Sequence, residues 1–430
     1  MKMRYAQIDK ELFIQNRKKF VARMKPNSIA VFNSNDILPT NADGVLPFKQ
    51  NSDLFYLTGI DQEETTLVLF PDCNNEEYRE VLFCKETSEL IQIWEGHKLS
   101  KSEAQSISGI DTVLWNSQLD ATLFQLIPDS SSIYLNQNEH SRATREVETR
   151  DDRFLTKIKS DFPLHLLKRS APLLHQLRYV KSSIEVEQIQ KACNITEKAF
   201  RRVLNFVKPD VFEYEIEAEI THEFLINRSR GHAYQPIVAS GADSCVLHYI
   251  DNDKACKAGE LILMDFGAEY ANYNSDLTRT IPVSGKYTSR QKEVYNAVLD
   301  VMKFAISQLV VGNTFKEYNK AIASAIEEKM VNLGLLTMDE IKNQNPKMPA
   351  FRKYFMHGTS HSLGLDVHDV DDRSLPFEAG MIFTCEPGIY IPSEKIGIRI
   401  ENDILITKDG NIDLMKNIPI EADEIEELMN

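Results

Sequence analysis

The 430-residue sequence lacks the common signatures of nucleophilic and nucleotide chemistry. It has no GxSxG elbow, no P-loop and no GxGxxG turn, so those hydrolase and nucleotide-binding chemistries are not written in it. His222-Glu223 does not extend to HExxH, because Ile226 stands where the second histidine belongs. Cysteine is sparse: Cys73, Cys84, Cys193, Cys245, Cys256 and Cys385 are scattered, with no CxxC pair for zinc or redox chemistry. Free thiols without a pairing pattern suit a reducing cytosol, so a cytoplasmic location is expected. No run approaches the ~20 apolar residues that span a bilayer, and Met1-Lys-Met-Arg-Tyr-Ala lacks the apolar stretch of a secretory signal, so no membrane partner is expected. Only 17 Gly and 16 Pro are present, too few for a collagen-like or linker-dominated chain. Positive charge is also short: 49 Lys and Arg face 64 Asp and Glu, a net charge of -15. Nucleic-acid binding needs a basic surface, so it is not expected either.

Hydrophobic residues at 42% and charged residues at 26% describe a folded chain long enough for two or three domains. The first part alternates β-rich runs with helical stretches. Ser28-Ile-Ala-Val-Phe-Asn, Thr65-Thr-Leu-Val-Leu-Phe and Glu80-Val-Leu-Phe-Cys read as buried strands of a mixed sheet. The pattern loosens between Lys159 and Ala171, which sets the expected domains at 1–172 and 173–430. Ser182 and Glu185 then have capping-box spacing, and Ile189, Ala192, Cys193, Thr196, Phe200 and Val203 recur at helical intervals. Further helices fit Tyr214 to Leu225 and Arg290 to Leu309, with strand-rich stretches at 235–285 and 380–407. Strands interleaved with amphipathic helices indicate α/β or α+β, with helices packed over a sheet.

The second half concentrates carboxylates and histidines. Asp265 interrupts the apolar strand Leu261-Ile-Leu-Met-Asp-Phe, where a carboxylate is unfavourable unless paired or coordinated. A hairpin centred near Tyr270–Ala271 would set Asp265 directly opposite Asp276, and like charges so placed call for a bridging cation. Three of the ten histidines, His357, His361 and His368, fall in one short stretch with two glycines. Imidazole serves as metal ligand, proton shuttle or hydrogen-bond donor, and the i,i+4 spacing of His357 and His361 does not decide between them. Glu386 ends another apolar strand. In Ile396-Gly-Ile-Arg-Ile-Glu, alternation puts Arg399 and Glu401 on one face, which a solvated edge strand would explain as well. Four carboxylates and one imidazole match the charge of two divalent ions, and oxygen-rich ligation favours hard ions such as Mn or Mg. Two such ions about 3.5 Å apart can share a hydroxide and polarise a carbonyl, which is machinery for metal-assisted hydrolysis.

With these motifs in order, the sequence resembles aminopeptidase P, of the pita-bread metallopeptidase family. The resemblance rests on Leu247-His-Tyr, Met264-Asp-Phe-Gly, Ser275-Asp-Leu-Thr-Arg-Thr, His357-Gly-Thr-Ser-His-Ser-Leu-Gly-Leu-Asp-Val-His-Asp, Glu386-Pro-Gly-Ile-Tyr and Gly397-Ile-Arg-Ile-Glu. In the first domain Gln50-Asn-Ser-Asp-Leu-Phe-Tyr-Leu-Thr-Gly adds to it. The resemblance implies an α/β N-terminal domain followed by an α+β pita-bread catalytic domain, with Asp265, Asp276, His361, Glu386 and Glu401 as ligands of two divalent ions, most often Mn(2+). It implies His248, His357 and His368 as hydrogen-bonding and proton-handling groups around the substrate. It pairs Arg399 with an acidic residue of the N-terminal domain, best matched by Asp43. Trp94 resembles a tryptophan lent to a neighbouring subunit's site, which implies a homo-oligomer, dimer or tetramer. Arg373 corresponds to an arginine on the leaving-group side, within a loop after His368 that is shorter than usual and carries an extra acidic pair.

The implied reaction is release of the N-terminal residue from peptides with proline in second position, by attack of a hydroxide bridging two metal ions. The runner-up is an Xaa-Pro dipeptidase on the same scaffold, with Arg373 as the group that would capture a dipeptide's carboxylate. Methionine aminopeptidase normally lacks so large an N-terminal domain, creatinase-type amidinohydrolases do not use the five ligands as a set, and a catalytically dead binding module would have lost them.

Overall fold

The computed structural model describes residues 4–144 and 146–430. The chain forms two compact units, Met1–Arg178 and Tyr179–Asn430. The expected division after residue 172 falls inside the helix Ala171–Tyr179. Contacts tie that helix to the first unit. Arg178 Nη1 donates to Asp53 Oδ1 at 2.8 Å and Tyr56 Oη donates to the Leu177 carbonyl at 3.3 Å.

The N-terminal unit is a six-stranded mixed sheet covered by helices. Its strands are β1 (Ser28–Asn33), β2 (Thr66–Leu69), β3 (Glu80–Cys84), β4 (Thr112–Trp115), β5 (Ser132–Leu135) and β6 (Leu166–Arg169), in the order β4-β3-β2-β1-β5-β6. The three strands expected from the sequence are β1, β2 and β3, and they are neighbours. The antiparallel connections β1–β2 and β2–β3 form the middle, and parallel β4, β5 and β6 extend the edges. Ile29, Val31, Val68, Phe83 and Ile133 pack from the sheet against Leu123, Leu126 and Ile158 of the covering helices.

The C-terminal unit builds four small sheets around one site. Its strands are β7 (Gly231–His232), β8 (Ile237–Ser240), β9 (Leu261–Phe266), β10 (Ala268–Tyr270), β11 (Tyr273–Asn274), β12 (Leu277–Pro282), β13 (Ile382–Cys385), β14 (Gly388–Ile391), β15 (Ile396–Arg399), β16 (Asn402–Thr407) and β17 (Gly410–Asp413). They pair as β11-β10-β7, β12-β9-β8, β13-β16-β17 and β14-β15. Helices Ser183–Phe206, Glu213–Ile226, Ser289–Gln308 and Phe315–Asn332, with the shorter Met338–Lys342 and Ala422–Met429, complete the unit. The first opens as its sequence foretold: Ser182 Oγ accepts from Glu185 N, and the Glu185 carboxylate accepts from Ser182 N at 2.8 Å. Its buried stripe includes Thr196, whose hydroxyl lies 2.8 Å from Ser275 Oγ and accepts from Ala268 N. The helix therefore grips the strands on either side of the hairpin that carries Asp265 and Asp276.

That hairpin differs from expectation by one residue at its tip. Tyr270 pairs with Tyr273, so Ala271 and Asn272 form a two-residue turn, both with positive φ, 55° and 67°. A two-residue turn of this hand matches the twist of the flanking strands and sets the register. The partner of Asp265 is consequently Thr278 and not Asp276. Because the side-chain period is two, Asp276 stays on the same face, diagonally across. The strands converge at Gly267, where a Cβ would sit 1.7 Å from the Ser275 carbonyl oxygen, a contact only glycine allows.

One buried carboxylate of the N-terminal unit makes stability depend on pH. Asp151 accepts from Asn33 Nδ2 at 2.9 Å. Burial pushes it up to about 7, the Asn33 hydrogen bond partly offsets this, and the charge of Asp53 adds to it. Between its ordinary value near 4 and this raised one, the folded chain holds a proton that the unfolded chain has lost. Stability from this group therefore falls as pH rises through that window, by roughly 2–4 kcal/mol in full. Asp151→Asn should match the parent's unfolding temperature near pH 4 and exceed it by several degrees at pH 8. Equal unfolding temperatures at both pH values would show that Asp151 is ionised in the folded chain at little penalty.

Candidate metal centre

Five side chains from five separate stretches meet in the C-terminal unit. Asp265 comes from β9, Asp276 from the start of β12, His361 from an irregular segment, Glu386 from the end of β13 and Glu401 from the link between β15 and β16. Atoms offered by Asp276, His361 and Glu401 all lie within 4.8 Å of one another, and all three side chains are buried. Asp265 joins this group through Tyr234, whose hydroxyl lies 2.6 Å from Asp265 Oδ1 and also contacts Asp276 Oδ1. Glu386 Oε1 is 3.8 Å from His361 Nε2, and Asp276 Oδ2 is 3.4 Å from the same nitrogen.

So much negative charge out of water is unfavourable to itself. Burial, then the charges of Asp276, Glu386 and Asp265, hold Glu401 well above the usual carboxylate range. Burial raises Glu386 to about 7 despite the opposing charges of His361 and Arg399. Asp265 is raised by burial, against the pull of Arg399. Burial disfavours charge on His361, yet the hydrogen bond to Asp276 and the charge of Glu386 raise it to about 9. Each of these shifts is what a cluster built around positive charge shows when protons alone must supply that charge. The donor set, four carboxylates and an imidazole without sulfur, fits hard divalent cations.

The two histidines that spacing alone left equivalent are distinct in the fold. His361 Nδ1 lies 3.1 Å from the Ser362 carbonyl, which can only accept, so that nitrogen carries a proton. Its Nε2 faces the carboxylates. His357 Nδ1 likewise faces the Gly358 carbonyl at 2.7 Å. Burial and the nearby charge of Arg399 lower His357 to about 3, so the ring is neutral and Nε2 is unprotonated. Tyr390 Oη, 2.7 Å away, therefore donates to that nitrogen. Both ring nitrogens of His357 are thus engaged by protein.

Arg399 organises what surrounds the carboxylates. Its Nη2 donates to Asp265 Oδ2 at 2.6 Å, its Nη1 to Tyr390 Oη at 2.8 Å and its Nε to Thr278 Oγ1 at 3.1 Å. Thr278 in turn donates to Glu401 Oε2 at 2.6 Å. Arg399 ends β15 and Glu401 follows in the link to β16, and both are buried, so a solvated edge strand does not account for them. His368 is exposed, with its ring centroid 4.3 Å from that of His361. His248 is also exposed, and its charge acts on His357. Arg373 is exposed, pairs with Asp371 at 3.1 Å and lies over the Phe315 ring at 4.8 Å.

Two expected site residues belong to the N-terminal unit. Asp43 sits on an exposed turn closed by Thr40 N donating to the Gly44 carbonyl. Trp94 is 81% exposed on the helix Glu89–Glu95. Tyr234, Thr278 and Tyr390 went unassigned in the sequence. Thr278 was within reach, since it lies two residues beyond Asp276 on the same strand face. A lone tyrosine in Ala233-Tyr-Gln-Pro carries no spacing signal.

Residues 187–408 match the profile of metallopeptidase family M24, and residues 13–134 match the aminopeptidase P N-terminal domain. The chain belongs to metallopeptidase family M24. Its catalytic unit has the pita-bread fold, and members of the family work with divalent metal ions. The chain is 35% identical to the Xaa-Pro aminopeptidase of Escherichia coli K12, across 99% of this chain and 98% of that one. It is 31% identical to human Xaa-Pro aminopeptidase 3, across 89% of this chain and 76% of that one. The low-pH form of E. coli aminopeptidase P superposes with a TM-score of 0.90 at 34% identity, covering 99% of both chains. No helix among the described residues is long and apolar enough to cross a membrane.

Clustered carboxylates make metal removal and charge removal act in opposite directions. In chelator, Glu401→Gln should unfold at the same temperature as the parent or higher, because it relieves like-charge repulsion. With a divalent ion added, the parent should gain several degrees and the variant little, inverting the order. A parent insensitive to the ion would count against a metal centre here.

Proposed function

We propose that this M24 enzyme releases the N-terminal residue from peptides with proline in second position, using two divalent ions held by Asp265, Asp276, His361, Glu386 and Glu401. The observation that carries the ligand set is the convergence of those five groups, with an imidazole nitrogen facing the carboxylates. Oxygen-rich ligation favours hard ions such as Mn or Mg, and the resemblance to aminopeptidase P selects manganese. When bound, the ions supply Lewis acidity toward a carbonyl and lower the pKa of water. His361 is the ligand because the Ser362 carbonyl holds its Nδ1 proton and turns Nε2 toward the carboxylates. His357 instead ends the hydrogen-bonded chain Arg399–Tyr390–His357–Gly358, which fixes its tautomer and keeps it neutral. It orients and polarises, with Tyr390 as its partner. His248 and His368, exposed beside this core, meet the substrate, and Arg373 lies on the leaving-group side.

Relatives matched across nearly the whole chain are Xaa-Pro aminopeptidases, which disfavours the dipeptidase reading. The six cysteines are all free, in keeping with a reducing cytoplasm. The exposed Trp94 suits a homo-oligomer in which it reaches a neighbouring copy.

Manganese-loaded enzyme should release alanine from an Ala-Pro-peptide, and chelator should abolish this. Cleavage of the dipeptide Ala-Pro alone would make it a dipeptidase instead. His361→Ala should lose bound metal together with activity. His357→Ala should keep its metal and lose about a hundredfold or more in kcat. Equal metal loss in both would reject the division of roles between the two histidines.

A further inference from the structure

The segment from His361 to His368 has neither helix nor a strand of its own, yet it places two imidazoles 4.3 Å apart. Its beginning is tied to β13: His361 N donates to Thr384 Oγ1, Thr384 N to the His361 carbonyl and Leu363 N to the Ile382 carbonyl. Its bend is held by Asn274, whose backbone and side-chain N–H groups both donate to the Gly364 carbonyl at 3.0 Å. Its end returns to its start, with Asp369 N donating to the Ser362 carbonyl at 2.9 Å.

The side chain of Asp369 then does something the metal centre does not require. It turns inward and meets Lys181 Nζ at 3.1 Å, with the two side chains 1% and 2% exposed. Lys181 is itself fixed, because it precedes the Ser182 cap of the helix Ser183–Phe206 and its N–H donates to the Gly380 carbonyl at 2.8 Å. The fit is close. A Cβ on Gly364 would lie 2.2 Å from Asp369 Oδ2 and 3.0 Å from Lys181 Cε, so the bend is glycine where the pair packs against it. Fully buried ion pairs are poor sources of net stability, since desolvation consumes most of their attraction. What such a pair does supply is a single geometry. Here it locks residue 369, while residue 368 faces outward.

We propose that the Lys181–Asp369 ion pair is a positioning device for His368, fixing that imidazole beside His361 from behind. Lys181 and Asp369 touch no substrate and act through the backbone they pin. The inference rests on the peptidase reading only for its activity measurement.

Lys181→Met and Asp369→Asn should each lower kcat/KM by about tenfold or more, with bound metal per chain unchanged. In a His368→Ala background the same substitutions should cost at most about twofold, because the group they position is already gone. Without substrate, the side-chain resonances of His368 in histidine-labelled enzyme loaded with a diamagnetic divalent ion should shift in Asp369→Asn. Asp369→Asn removes the countercharge while leaving an amide oxygen to accept from Lys181, and serves if Lys181→Met does not fold. Full activity in a folded variant, an equal loss in the His368→Ala background, loss of metal, or an unmoved His368 resonance would each overturn the proposal. A parent inactive on proline peptides would reject the peptidase reading instead, and the resonance measurement would still decide the role of the pair.

Discussion

Everything in the C-terminal unit is arranged around buried negative charge. Asp265, Asp276, Glu386 and Glu401 converge with His361, and the folded chain without cations keeps protons on groups that would shed them in water. That constraint explains the neighbours. Arg399 is spent on Asp265 and on two hydroxyls that pass hydrogen bonds to Glu401 and His357. Tyr234 places a hydroxyl against two carboxylates, and burial together with their charges keeps it a phenol. Protein donors thus orient the oxygens, and a single guanidinium offsets only part of their charge, which leaves the rest for divalent ions.

Rigid elements hold this cluster in register. The tight turn at Ala271–Asn272 sets the pairing of β9 with β12, and the helix Ser183–Phe206 holds the hairpin between them through Thr196, which meets Ala268 and Ser275. Arg279, fully buried, donates to the carbonyls of Thr278 and Glu401 and joins β12 to the strand link that carries Glu401. The irregular segment with His361 and His368 has no ladder of its own, and is held by β13, Asn274 and a buried ion pair. Buried polar contacts of this kind contribute less to stability than to the uniqueness of the arrangement.

Much of this was legible in the chain. Helical spacing and the Ser182–Glu185 box located the long helix nearly to the residue, and apolar runs located β1, β2, β3 and β9, because burial on one face imposes a period that composition reveals. Asp265 within an apolar strand was conspicuous because an uncompensated buried carboxylate is rarely tolerated. The hairpin tip was placed one residue early, since Ala271–Asn272 is not among the strongest turn dipeptides. The parity of the strands nevertheless kept Asp265 and Asp276 on one face.

Sequence alone determined the inventory: four carboxylates, the histidine group, their order and the kind of ion they suit, because residue type and alternation are local properties. Tertiary structure decided which histidine keeps its Nε2 toward the carboxylates, since the Nε2 of His357 is taken by a tyrosine hydroxyl from another stretch, while that of His361 meets Asp276 and Glu386. It also decided that Arg399 serves Asp265, Tyr390 and Thr278, and that Asp369 turns inward to a lysine nearly two hundred residues earlier. Hydrogen bonds and ion pairs between distant segments carry no period along the chain, so only the folded geometry discloses them.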